Sequence, residues 1–223
     1  VDAIVTGVLA EAQGYAGKTF SVTRVDRKTE GRQTTSRTLR FETAGPNAGW
    51  RQLDGGRAAV KQASLGPGRD EDEVSKLEPP RGYGNVADLL AGGYTVASRS
   101  PTELVLRVRQ IPDSVFNGVV IGASRSLIGD VVIDTRGQPF VREIRVSNPA
   151  PFKARTKFGV TGTFDTLQVT RRFERGSDGR VMPIASRFAY KAKALFVTVD
   201  QVNELTFTDH GPLAPWPGSP RRG

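Results

Sequence analysis

Residues 127–210 alternate apolar and polar side chains in runs separated by short turns, and successive side chains of a strand point to opposite faces. Leu127, Val131 and Ile133 share one face, with Asp130 and Asp134 on the other. A turn at 135–139 precedes Phe140, Ile144 and Val146, opposed by Glu143 and Arg145, and Asn148-Pro149 ends that run. The next run alternates Phe158, Val160 and Phe164 against Lys157, Thr161 and Asp165, then changes phase to Leu167, Val169 and Phe173. Such a slip predicts a bulge or tight turn near Phe164-Asp165. Gly176-Ser177-Asp178-Gly179 is a hairpin signal, because Asp-Gly tolerates positive φ. Ile184, Phe188, Tyr190 and Ala192 follow on one face, against Arg187, Lys191 and Lys193. A last strand aligns Val197, Val199, Leu205 and Phe207. Short turns between such runs predict an antiparallel meander, and one continuous apolar face predicts strong curvature with helices on the concave side only.

Upstream, Asp2 is placed as the N-cap of an amphipathic helix whose stripe is Ile4, Val5, Val8, Leu9 and Ala12, stopping at Gly14. Phe20 and Val22 begin a strand that runs to about Asp26, Leu39 and Phe41 are in phase in a second, and Trp50 to Leu53 is a short third. Residues 57–92 then shift to Ala, Glu, Asp, Gly and Pro. Asp70 and Glu73 resemble a capping box ahead of Val74 and Leu77, with Pro79-Pro80 as the stop. Asn85 caps a second helix carrying Val86, Leu89 and Leu90, ended by Gly92. These two helices read as a lid on one sheet face. Strand returns with Tyr94 and Val96, then Leu104, Leu106 and Val108; 111–126 fits helix, strand or loop. The Pro/Gly-rich tail 211–223 is expected outside the core.

At 223 residues and 37% hydrophobic content, the chain supports one substantial core, read as a single domain over 1–210. The absence of cysteine excludes a disulfide framework and thiolate metal sites. No apolar run approaches the ~20 residues that span a bilayer as a helix. The chain begins at Val1, which a cleaved signal peptide explains, as does a start placed there for another reason. A formal charge of +9 and a pI near 10.2 call for an anionic partner or simply for solubility. Arg155, Lys157, Arg187, Lys191 and Lys193 are dispersed over the outer face, the pattern of a solvated surface. Such a face is expected to adhere to anionic membranes in a salt-sensitive way. Nucleic acid is not an expected partner, because the aromatics are in phase with the apolar face and do not interleave with the cations.

Chemistry-bearing motifs are thin. Gly82-Tyr83-Gly84-Asn85-Val86-Ala87 fits a dinucleotide fingerprint in form, but Pro79-Pro80-Arg81 leads into it where a strand should. Asp130 and Asp134 share a strand face roughly 13 Å apart, beyond the ~5–9.5 Å of glycosidase carboxylate pairs. His210 is the single histidine, beside Asp209, and assembles neither a zinc site nor a triad. No enzymatic activity, metal or cofactor is expected.

The order of helix, strands, Trp-bearing short strand, helical insertion and long meander resembles the LolA/LolB-like lipoprotein carrier superfamily. Three stretches carry the resemblance to secreted LolA-like proteins of Gram-negative bacteria. Gly49-Trp50-Arg51-Gln52-Leu53-Asp54-Gly55-Gly56-Arg57 is similar to a W-x-L-x-x-x-G-x segment. Gly129-Asp130-Val131-Val132-Ile133-Asp134 followed by Asn148-Pro149-Ala150-Pro151-Phe152 is similar to their G-x-hydrophobic-hydrophobic-D and N-x-x-P-F pattern, and 196–210 to their closing strand. The resemblance implies a mainly β (α+β) fold, an unclosed antiparallel half-barrel in the periplasm with short helices covering its concave face. It also implies an apolar cavity for the acyl chain of a lipid or lipoprotein, in a monomeric carrier. By position the lining would be Phe20, Leu39, Phe41, Leu104, Leu106, Ile133, Phe140, Ile144, Phe158, Phe188 and Tyr190, with Val86, Leu89 and Leu90 on the lid. No residue matches the arginine that latches the LolA lid. The same side chains equally describe the filled core of a ligand-free envelope module, since an inward sheet face is core by default.

Overall fold

The computed structural model describes residues 1–45, 48–53, 77, 79–80, 82–83, 85–112, 120–121, 123–156, 161–194 and 197–215. Helix α1 (Asp2–Gln13) is followed by β1 (Lys18–Phe20), β2 (Val22–Glu30), β3 (Gln33–Glu42) and β4 (Gly49–Gln52). Helix α2 (Asn85–Ala91) precedes β5 (Tyr94–Arg99), β6 (Glu103–Val108), β7 (Val120–Ile121) and a 3-10 turn at Ser124–Ser126. The remaining strands are β8 (Ile128–Asp134), β9 (Phe140–Ser147), β10 (Phe152–Thr156), β11 (Thr161–Arg175), β12 (Val181–Ala194), β13 (Val197–Thr208) and β14 (Leu213–Pro215).

One twelve-stranded sheet takes the order β4-β3-β2-β13-β12-β11-β9-β8-β6-β5, with β10 beside β11 and β7 beyond β10. Its pairings are antiparallel. Among the described residues β4 and β5 are its two ends and do not pair, so the sheet is an unclosed half-barrel. Most neighbours are consecutive in sequence; β9 pairs with β11, β6 with β8 and β7 with β10, and the longest jump is β2 with β13, which joins the first hairpin to the last long strand. The tight turns follow the glycines: Gly31 (φ 58) reverses β2 into β3, and Gly179 (φ 79) reverses β11 into β12 at the expected hairpin.

The slip expected near Phe164-Asp165 is present as a register shift between Phe164 and Thr166. It accompanies a change of neighbour, since β11 pairs with β10 through 161–164 and with β9 through 168–172. Asn148 braces this junction. Its Oδ1 accepts the Leu167 N–H (2.6 Å), and its Nδ2 donates to the carbonyls of Ala150 (2.9 Å) and Asp165 (3.1 Å). The sequence reading ended the strand at Asn148-Pro149 correctly but did not anticipate β10, whose first residue follows Pro151 directly.

A single cluster of buried side chains joins α1 and α2 to one face of the sheet. From α1 it takes Val5, Val8 and Ala12, and from α2 Val86, Leu89 and Leu90. Helices this short are marginal alone, so packing of this apolar stripe holds them. Gly129 makes room for one core side chain. A Cβ there would stand 2.3 Å from Ile111 Cδ1, and Ile111 is fully buried.

Several sequence expectations are corrected. Val1, not Asp2, is the N-cap of α1, and Asp2 lies in the first turn, where its charge still suits the helix dipole. The strand from Val22 extends past Asp26 to Glu30, because its polar residues continue the ladder with β3 and β13. The tail is not wholly outside the fold: Leu213–Pro215 pairs with β1, and Leu213 packs on the core. Ile184 does not continue the face of Phe188, because a register shift opposite Arg172 and Phe173 leaves it as the extra residue of a bulge. Val74 of the first lid helix, residues 113–119 and 122, and Lys157, Phe158 and Val160 lie outside the described residues, whereas Leu77 is described and packs against the core.

Gly129→Val should lower the free energy of unfolding by about 1–3 kcal/mol through overpacking against Ile111. Urea unfolding measures this, and adding Ile111→Ala to the same chain should recover part of the loss.

Candidate functional site

The residues assigned to the inner face by sequence fall into two groups. Phe20, Leu39, Leu104, Leu106, Ile133 and Val86 expose 0% of their surface, and Phe41, Ile144, Leu89 and Leu90 are buried beside them. Beneath α1 and α2 the described interior is therefore packed, side chain against side chain. Phe188 and Tyr190 belong to the second group, only partly buried and packed at the margin of this cluster. Phe140 sits at the rim under the Arg175 guanidinium (5.2 Å), and Phe158 lies outside the described residues.

Buried polar contacts fix the helices to the sheet. The Tyr15 hydroxyl, just after α1, accepts the Val181 N–H at 2.8 Å, and the Tyr83 hydroxyl, just before α2, accepts the Val141 N–H at 2.6 Å. The two rings meet edge-on at 5.6 Å, and Tyr83 meets Phe173 at the same distance. Burial pushes both hydroxyls above the ordinary tyrosine range, so both stay neutral. At the lip Arg175 donates to both carboxylate oxygens of Glu11 on α1 (2.7 and 2.9 Å), and this hydrogen bonding raises its pKa. Tyr83 thus occupies the core, and the Gly82-Tyr83 stretch is no phosphate loop; Gly82 lies against the Phe20 ring.

Val141 lies two residues beyond the last β9–β11 pair, Glu143 with Arg172, where those strands part. Tyr83 and Phe173 fill the split from inside. From outside it is a groove of about 400 Å³ lined by Phe140, Arg142, Glu143, Arg172, Glu174 and Ile184 among others. Its cations and anions balance, and Arg142 is already paired with Glu103.

Register across β11, β12, β13, β2 and β3 shows what sequence reading missed. Arg171 pairs with Ser186, Ser186 with Leu205, Leu205 with Asp26, and Asp26 with Arg37. Directly paired residues of antiparallel strands point to one face. Ile144 pairs with Arg171 on its other side, which sets the whole row on the concave face. The next row toward the open end holds Val169, Phe188, Asn203, Lys28 and Thr35, and the one after it Tyr190, Gln201 and Glu30. Burial lowers the pKa of Arg171 from the usual arginine range. Asp26 accepts two bonds from Arg24 (2.5 and 2.8 Å) and one from Arg37 (3.2 Å), while the Arg24 guanidinium lies 4.4 Å from the Trp50 ring centroid. An arginine in phase with Leu167, Val169 and Phe173 was the available signal.

An aromatic band crosses the same face. Phe152 stacks on Phe164 (5.3 Å), Phe164 meets Tyr190 (6.0 Å), and Tyr190 meets Phe188 (5.4 Å). The Tyr190 hydroxyl donates to Gln201 Oε1 at 3.2 Å. On the outer face, by contrast, cations lie near anions: Arg107 with Asp130 (2.6 Å), Lys193 with Asp165 (3.2 Å), and Arg187 with Glu204 (3.8 Å). His210 contacts the Pro183 carbonyl through Nε2 (2.8 Å) and the Phe20 ring, and burial lowers its pKa.

The chain matches no protein-family model, no curated protein and no solved structure.

Tyr83→Phe should cost about 1–3 kcal/mol, because it leaves the buried Val141 N–H without its acceptor; chemical denaturation with retained far-ultraviolet dichroism measures this. For His210 the folded-state pKa lies below its ordinary 6.5, so protonation favours the unfolded chain. The contribution of the neutral ring is complete above pH 6.5, falls as pH drops, and levels off below the folded-state pKa. Thermal midpoints across that window should decline less in His210→Gln than in the parent.

Proposed function

We propose that the protein is a non-enzymatic, carrier-type binding protein of the cell envelope, acting in the periplasm as the LolA-like resemblance implies. It holds the acyl chain of a lipid or lipoprotein against the concave face. The observation that carries this reading is the aromatic band running out from the packed core, with Phe188 and Tyr190 only partly buried at its end. The ligand belongs against Phe188 and Tyr190, because the half beneath α1 and α2 is already filled and Phe152, Phe164, Leu167 and Val169 are themselves buried. Each methylene taken from water contributes about 0.8 kcal/mol, so a chain of about ten carbons gains enough to offset an association cost of ~4 kcal/mol or more.

The competing reading, a ligand-free interaction module, draws support from that filled half. Uptake of a fluorescent fatty acid decides between them. The parent protein should bind it, Phe188→Ala combined with Tyr190→Ala should weaken binding about tenfold or more, and Arg187→Ala on the outer face should change nothing. No binding by a folded parent, or equal binding by the double variant, would leave the module as the better account.

A further inference from the structure

We propose that the ligand is a phospholipid with a zwitterionic head, its chain lying on Phe188 and Tyr190 and its phosphate and ammonium groups meeting Lys28 and Glu30. This rests on the concave-face reading above and narrows it from acyl chains in general to one class of head. Six side chains on three adjacent strands form the site. Phe188 and Tyr190 on β12 pair directly with Asn203 and Gln201 on β13, and these pair in turn with Lys28 and Glu30 on β2. All six therefore stand on the inner face, within two strand spacings of about 4.8 Å each. Across those strands the surface passes from aromatic to amide to charged, and a phospholipid passes from chain to ester to head in the same order.

The polar end of this patch offers both signs of charge. Lys28 Nζ stands 2.9 Å from Glu30 Oε2, with 48% and 54% of the two side chains exposed. A pair this open to solvent contributes little to stability, so its two groups can exchange partners at small cost. Glu30 also acts on the aromatic side: burial, and then the Glu30 carboxylate, hold the Tyr190 hydroxyl above its ordinary range. That hydroxyl donates to Gln201 Oε1 at 3.2 Å, so the ion pair and the aromatics face each other across β13. One row deeper Asp26 is already engaged by Arg24 and Arg37, which leaves Glu30 as the carboxylate open to an ammonium. A ligand that displaces water from the pair must compensate both charges, because a buried ion left without its partner is costly. An anionic head would serve Lys28 and repel Glu30, and a cationic head the reverse. A head carrying both signs completes a square of alternating charges, with phosphate on Lys28 and ammonium on Glu30. The Asn203 and Gln201 amides, each both donor and acceptor, lie between head and chain, where the ester oxygens fall.

Calorimetric titration of the full chain at ~0.15 M salt, with single-chain probes below their micelle-forming concentrations, tests the proposal. Dodecylphosphocholine should bind the parent at least about tenfold tighter than dodecyl phosphate or dodecyltrimethylammonium, a difference of ~1.4 kcal/mol. Glu30→Gln should erase the preference over dodecyl phosphate, and Lys28→Gln the preference over dodecyltrimethylammonium, a crossed pattern that a purely structural ion pair would not produce. Similar affinities for the three probes in the parent overturn the zwitterionic head but leave the acyl-chain reading intact. A preference for dodecyl phosphate or for dodecyltrimethylammonium overturns it in favour of a singly charged head. Retention of the parent's preference in either variant overturns the assignment of the head to Lys28 and Glu30. No binding of any of the three overturns the acyl-chain reading itself. If one variant loses its cooperative melting transition, the other variant and the ranking in the parent still decide the outcome.

Discussion

Two buried tyrosine hydroxyls hold the helices to the sheet, and the closed end of the half-barrel depends on them. A sheet bent this far cannot keep every strand paired along its whole length, and β9 and β11 part where the pairing of Glu143 with Arg172 ends. A backbone N–H left inside such a gap must find an acceptor. Tyr83 supplies one for Val141 and Tyr15 one for Val181, and both lie on the segments that carry α1 and α2 into the core. The helices are therefore part of the sheet's hydrogen bonding as well as its apolar cover. This makes α2 an unsuitable moving lid, since lifting it would uncover Val86 and Leu89 and threaten the Tyr83 bond together.

The inner face changes character along the strand direction. Near the helices it is Leu, Ile, Val and Phe; one row farther out it carries Arg171, Asp26 and Arg37; beyond that Val169, Phe188 and Tyr190 stand beside Asn203, Gln201 and the Lys28–Glu30 pair. The outer face shows no such gradient and mixes charges along its length, so the +9 of the whole chain is not displayed as a bare cationic sheet.

Strand existence, the hairpin at Gly179 and the bulge near Asp165 were legible because each has a local signature: period two, a glycine with positive φ, and a break in phase. Which residues share a face was legible for the same reason. Depth was not. Period two says that Phe20 and Tyr190 face inward but not that one is sealed and the other at the margin, since that depends on where two short helices land. Arg171 escaped because alternation was followed through apolar residues alone, so a cation in an apolar phase read as a gap. Strand β14 escaped because Pro212 and Pro215 make its stretch look like linker, although a short edge ribbon tolerates proline. Strand β10 was hidden in the same way behind Pro149 and Pro151.

The pairing of β2 with β13 has a consequence for how the chain is made. The first hairpin emerges early, yet the strand that covers its open edge is nearly the last to appear, so the half-barrel cannot be assembled piecewise from its beginning. Contacts so distant in sequence form slowly, and an uncovered edge invites pairing with other chains in the interval. The side chains on that edge answer this hazard: Arg24, Asp26, Arg27, Lys28 and Glu30 make β2 one of the most highly charged strands of the sheet. The charges that sit oddly on the inner wall of the finished protein keep the same strand soluble while it waits for its partner.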